Sequence, residues 1–240
     1  MNVREALKSG SSQKVLAWDL PTRIFKWGLV LLVADAWISN KFGGSMPAWH
    51  KWNGYAILVL IVFRLLWGFV GGSTSRFAAF AASPSRALVY ARDIFIAGRA
   101  RRFLGHNPAG AYMIFALLIA VALQAIAGLY SADEDRLIIE GPLAKTISDS
   151  DVDRMSSFHA SWFNVILVLA AIHIAVNLLY GFIKRDPVIQ AMISGSKPRA
   201  NYEDQQEARP GAPLAALACG LAAIVVVFGG IFALGGNPLR

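Results

Sequence analysis

Apolar residues in this chain gather into five long runs, at roughly 21–39, 52–70, 109–130, 161–183 and 212–235. Each approaches the ~20 mostly apolar residues that a helix needs to cross a bilayer. Lipid offers no partner to backbone polar groups, so such runs are expected as helices. The pattern therefore predicts an all-α membrane protein. Start signals agree: Pro21 suits an early helical position, and Asn107 is placed to cap the third run. Residues 83–98 read as an amphipathic helix on the membrane surface, capped by Ser83 and opened by Pro84. Leu88, Ile94 and Phe95 would face lipid, and Arg86, Arg92 and Asp93 would face water. Residues 198–211 are polar and flanked by prolines, which predicts a linker between a domain over 1–197 and an extra helix over 212–235.

Composition supports this picture. Of 240 residues, 56% are hydrophobic and only 16% charged. A soluble chain would carry roughly a quarter charged. The start, MNVREALKSGSSQKV, lacks the apolar stretch of a cleaved signal, so the first run is expected to direct insertion itself. Cys219 is the one cysteine and lies within the fifth run, which excludes an internal disulfide and covalent haem attachment through Cys-x-x-Cys-His. It reads as a small packing residue.

The net charge of +8 is unevenly spread. Residues 71–106 hold six arginines (Arg76, Arg86, Arg92, Arg99, Arg101 and Arg102) against Asp93. Residues 131–158 hold seven acidic residues against three basic ones. Basic loops stay on the cytoplasmic side, which places the first loop inside and the second outside. The N-terminus, with Arg4, Lys8, Lys14 and Arg23, falls inside, as does Lys184–Arg185, and five spans leave the C-terminus outside. The basic excess thus reads as orientation and contact with anionic lipid. It does not read as a nucleic-acid surface.

Ionisable residues inside spans are functional candidates, because burying them unpaired in lipid is costly. His159 and His173 lie 14 residues apart in the fourth run. Fourteen steps of about 100° fall only ~40° short of four turns, so both project from nearly one face, about 21 Å apart along the axis. One helix would then offer a metal ligand to each leaflet, as two stacked haems require. The competing explanation is hydrogen bonding between helices. His50, at the outer end of the second run, can reach the same haem as His159. His173 needs a partner from the early turns of the first run, where a histidine is expected and Lys26 is found. Arg64, 14 residues after His50, shares its face one layer deeper. It suits a haem propionate, or snorkels to the inner surface. Gly54, Gly68, Gly110, Gly128 and Gly181 are candidates for close approach of a macrocycle or of another helix. Asp35 is either interfacial or part of a proton path to a quinone.

Several stretches together resemble the bacterial cytochrome b561 family, whose superfamily includes the b-type cytochrome subunits of nickel–iron hydrogenases. They are Trp18-Asp19-Leu20-Pro21-Thr22-Arg23-Ile24-Phe25-Lys26-Trp27, Trp49-His50-Lys51-Trp52-Asn53-Gly54-Tyr55, Phe63-Arg64-Leu65-Leu66-Trp67-Gly68, Gly105-His106-Asn107-Pro108, and His159 followed by His173. The resemblance covers roughly residues 14–197. It implies a four-helix transmembrane bundle holding two b haems, with the fifth, C-terminal span as an addition. It implies electron transfer between quinone or quinol and a redox partner. It also implies His50 with His159 as one ligand pair, and the residue at Lys26 with His173 as the other.

Family members usually carry histidine where this chain has Lys26. An amine binds iron only when neutral, which burial and the metal itself would favour. Three alternatives stand at this site: Lys26 ligates, the inner haem is five-coordinate or absent, or His106 substitutes. Lys26 lies only about five residues into its span, and helical side chains lean toward the N-terminus, away from a deeper His173.

No catalytic residue is assigned, because no nucleotide-binding glycine motif, Ser/His/Asp order or cysteine cluster occurs in the sequence. The expected function is a di-haem b-type cytochrome of the bacterial inner membrane. It would link the quinone pool to a periplasmic c-type cytochrome or enzyme subunit. The alternatives are an obligate membrane-anchor subunit of a larger oxidoreductase such as a hydrogenase, a superoxide:quinone oxidoreductase, and a haem-free transporter or scaffold. The acidic outer segment disfavours small anions such as superoxide.

Overall fold

The computed structural model describes residues 13–41, 46–94, 96, 101–132 and 140–239. Among the described residues, four helices are long and apolar enough to cross a membrane: Ala48–Val70, Pro108–Tyr130, Asp149–Phe182 and Pro213–Ala233. The helix α1, Leu20–Lys41, has 22 residues and thus the length to span, about 33 Å. It carries Arg23, Lys26 and Asp35, and it is not among the four apolar helices. Those charges separate the five expected spans from the four apolar helices found. The C-terminal helix is one of the four.

The remaining helices, in chain order, are α2 (Met46–Val70), α3 (Phe77–Phe80), α4 (Pro84–Asp93), α5 (Pro108–Tyr130), α6 (Asp149–Ile183), α7 (Val188–Ser194) and α8 (Pro213–Ala233). Local chemistry explains several starts. Asp19 Oδ1 accepts from Thr22 N–H at 3.1 Å at the head of α1. Ser83 Oγ accepts from Arg86 N–H at 3.3 Å, with Pro84 in the first turn of α4. Asn107 Oδ1 accepts from Gly110 N–H at 2.7 Å at the head of α5. Each side chain satisfies an N–H that the helix itself leaves open. The surface helix ends at Asp93, short of the expected 98, and Phe95 lies outside the described residues. Helix α6 starts seven residues earlier than Ser156, where the fourth span was expected to begin. Ser148 caps it, and Asp149 and Asp151 occupy its first turn. Carboxylates there favour the positive end of the helix dipole. Part of the acidic loop is therefore helix.

The described residues form two compact units. The first comprises residues 13–24, 67–115 and 171–216. Its strands β1 (Lys14–Leu16) and β2 (Ser196–Pro198) pair antiparallel, with Val15 opposite Lys197. Val15, Ala17, Trp18, Leu104, Ala191, Tyr202 and Ala208 form its core. Gly195 closes α7 at a φ of +83°, where a side chain would be strained, and its carbonyl accepts from Ala17 and Trp18 N–H. The segment 198–211 packs back into this unit. Asp204 accepts from Leu104 and Gly105 N–H at 2.7 and 2.9 Å, and Ser73 donates to Gln205 at 2.6 Å. Asp19 Oδ2 accepts from Gly72 and Gly211 N–H, each at 3.1 Å. Lys197 and Asp186 form a buried ion pair at 3.0 Å, and the ammonium also donates to the Phe103 carbonyl. Tyr180 donates to the Tyr90 hydroxyl at 3.0 Å, and Tyr90 donates to the Arg101 carbonyl. Burial pushes the Tyr90 phenol up from its usual range, so it remains a neutral donor.

The second unit comprises residues 25–66, 116–170 and 217–239. Here α8 buries Cys219, Ala223, Val227 and Ile231, a stripe at intervals of four residues. Cys219 is the packing residue expected. Phe228 meets Trp52 and Tyr55 of α2 with ring centres 6.4 and 5.7 Å away.

Candidate functional site

His50 and His159 come together within the second unit. Their ring centres are 6.0 Å apart and their planes lie at 86°. His50 Nδ1 lies 3.1 Å from the Ala36 carbonyl of α1 and 3.3 Å from Ser39 Oγ. His159 Nδ1 lies 2.8 Å from the Gln124 carbonyl of α5. A carbonyl only accepts, so each Nδ1 carries a proton. Each Nε2 is then the ring nitrogen left to bind a metal. Donation of Nδ1–H to a carbonyl also fixes the ring's direction and raises its basicity as a ligand.

The spacing suits one iron held by both rings. Two metal–nitrogen bonds of about 2 Å, with about 1 Å more from each nitrogen to its ring centre, span about 6 Å. A haem brings four nitrogens of its own, so these two imidazoles would complete the ligand set of its iron. Haem therefore fits this pair of residues.

Gly128 of α5 gives the His159 ring its space. A Cβ built there would stand 2.9 Å from Cε1 and 3.2 Å from Nδ1 of His159. The bond to Gln124 keeps the ring from yielding freely. Gly128→Ala is therefore expected to turn His159 and lower haem affinity about 10–100-fold, the usual cost of disturbing a ligand's support. Haem titration followed by absorbance measures this. Gly220→Ala is the control, since nothing lies within 4 Å of its Cβ position and it stands outside the proposed site. Equal affinities in the two variants would refute the role of Gly128.

Around His50, Asn53 donates to the Leu32 carbonyl and to Asp35, both at 2.8 Å. Asp35 is thereby tied into α2, three residues along from His50. Two further candidates lie in this unit. Lys26 is partly buried in the second turn of α1. Arg64 of α2 is 2% exposed, so it is not an arginine extended to the surface. His173 and His106 belong to the first unit. His173 is half-buried on α6, and Asn177 donates to its carbonyl at 2.7 Å, with the same amide nitrogen 3.2 Å from Nε2. The His106 ring is packed between Trp18 and Phe80, with ring centres at 4.6 and 4.7 Å.

Sequence reasoning singled out the histidines but passed over Ser39, Gln124 and Asn177. A signal existed for Gln124: it is a polar residue in the apolar run ALLIAVALQAIAG. The rule that flags intramembrane histidines also flags it.

Residues 17–195 match the family model for prokaryotic cytochrome b561. A relative from Rhizobium leguminosarum bv. viciae, described as a probable Ni/Fe-hydrogenase B-type cytochrome subunit, is 23% identical over 225 residues, covering 82% of this chain and 94% of its own. No solved structure matches the chain.

Proposed function

The chain belongs to the prokaryotic cytochrome b561 family, and from that we propose that it holds two b haems and passes electrons between the quinone pool and a redox partner on the periplasmic side. The coarser statement stands on the family and on the four apolar helices: this is an integral membrane b-type cytochrome of electron transfer, and the family implies haem b. The observation that carries the finer reading is the His50–His159 pair, two imidazoles 6.0 Å apart with each Nδ1 engaged by a carbonyl.

In this reading His50 and His159 would hold one haem through their Nε2 nitrogens. The Ala36 and Gln124 carbonyls hold the Nδ1–H of each ring and aim it. A bound haem supplies a one-electron Fe(III)/Fe(II) couple. Arg64, buried in α2, offers a fixed cation for a propionate. For the second haem, His173 is one ligand and Lys26 the candidate sixth. The termini are assigned by loop charge, N-terminus cytoplasmic and C-terminus periplasmic, in the bacterial inner membrane.

Haem stoichiometry and the absorption spectrum of purified protein test the reading. Two haems per chain, both low-spin in the ferric state, are expected. A colourless protein would sink it. Lys26→Ala is expected to abolish one low-spin signal and leave the other. An unchanged spectrum removes Lys26 from the ligand set.

The Rhizobium relative favours a second reading, in which the chain is the membrane anchor of a larger oxidoreductase such as a hydrogenase. Purification in mild detergent separates the two. A stoichiometric large soluble subunit retained through gel filtration supports the anchor, and an isolated cytochrome that reoxidises quinol supports the first.

A further inference from the structure

We infer that Gln124 is a positioning residue that braces His159 so that its imidazole stands perpendicular to that of His50. The inference rests on these two histidines being the ligand pair proposed above.

Gln124 bonds His159 twice, in opposite senses. Its carbonyl accepts from His159 Nδ1–H at 2.8 Å, and its Nε2 donates to the His159 carbonyl at 2.9 Å. The first bond aims the ring, and the second ties the ring's own backbone to α5. A single Nδ1–H···O bond leaves the imidazole free to rock about that bond. Two bonds from one residue fix both the height of His159 along α6 and the direction of its ring. Gly128, four residues along α5, lies close against the ring and limits the remaining rotation. The other amide atom of Gln124, Oε1, is buried without a hydrogen-bond partner. A leucine of similar size would avoid that cost to stability. The glutamine is therefore explained by what its Nε2 does.

Across the gap, His50 is set differently. Its Nδ1 is shared between the Ala36 carbonyl and Ser39 Oγ, and that hydroxyl itself donates to Ala36 at 3.2 Å. The two braces leave the rings at 86°. Two imidazoles on one iron have only a weak electronic preference for their relative angle, so the protein sets it. When the planes are perpendicular, each ring's π system meets a different iron d orbital, and those orbitals stay nearly equal in energy. The ferric low-spin centre then gives a strongly anisotropic paramagnetic resonance signal. Parallel planes split the orbitals and make the signal less anisotropic.

The test is resonance spectroscopy and haem titration on the full-length protein, wild type against Gln124→Leu. The signal of this site is identified as the one lost in His159→Ala. The wild type is expected to give the strongly anisotropic signal. Gln124→Leu is expected to make it less anisotropic and to weaken haem binding about 10–100-fold. A Gln124→Leu protein with unchanged signal and affinity overturns the brace. If that variant fails to accumulate, Gln124→Met is read the same way. The wild type alone also decides, because a weakly anisotropic signal from this site rules out perpendicular rings. A colourless wild type overturns the proposed function as well, whereas a haem-loaded wild type matched by Gln124→Leu overturns the brace alone.

Discussion

Replacing His159 by alanine is expected to remove one of the two haems proposed above, cutting the Soret absorbance per chain by about half. The ring is one of the two ligands proposed for its site. Lost with the ring is the 2.8 Å bond to the Gln124 carbonyl, which leaves that carbonyl open in an apolar interior. The substitution also opens a space beneath Gly128 shaped for an imidazole. Free imidazole added to the variant is therefore expected to restore part of the low-spin spectrum. Pyridine haemochrome quantification and a ferric spectrum with and without imidazole check this. Full haem content and an unaltered low-spin signal in His159→Ala would remove it from the ligand set.

The second large effect falls on stability. Lys197 and Asp186 are 2% and 9% exposed at their side chains and lie 3.0 Å apart. Breaking a buried pair by removing one partner costs about 3–5 kcal/mol, because the survivor is left as an uncompensated charge. Asp186→Ala strands the Lys197 ammonium with only the Phe103 carbonyl and the Tyr202 ring, whose centre is 5.7 Å away. Thermal unfolding in detergent should show the loss, and amide exchange should place it around β1, β2 and residues 101–106. The pair as a whole is worth far less than either half suggests, since apolar replacement of a buried pair is often neutral. Asp186→Leu with Lys197→Met is therefore expected to recover most of the lost stability. A double variant as unstable as Asp186→Ala would show that the pair contributes more than mutual neutralisation.

The apolar runs were legible because a membrane span is a local property, written in about 20 consecutive residues. The first helix shows where that stops: Arg23, Lys26 and Asp35 leave its length readable but lower its hydropathy below that of the other four. His50 and His159 were legible because an imidazole inside a span is rare and costly. Their approach to 6.0 Å could only be inferred, since it depends on how α2 and α6 pack. Gln124 was missed because an amide carries no charge, although it is the one polar side chain in the stretch ALLIAVALQAIAG. The stretch 198–211 looked like a linker because its polar residues and prolines promised no core. Its partners, Ser73, Arg102 and Leu104, lie about 100 or more residues away, beyond the reach of any local pattern. The early start of α6 was hidden by aspartates that look like loop residues but act as helix-opening charges.

Asp19 has a consequence for the order in which the molecule is made. Its carboxylate joins the head of α1, Gly72 and Gly211, and the last of these is 192 residues downstream. At about 5–20 residues per second, a ribosome needs on the order of 10–40 s to traverse that distance. Through that interval the first helix is made while one of the partners of its cap is still unmade. The first unit thus cannot close until Gly211 is made, the second, which takes in residues 217–239, closes later still, and a chain halted before Gly211 meets the quality-control machinery with both units open.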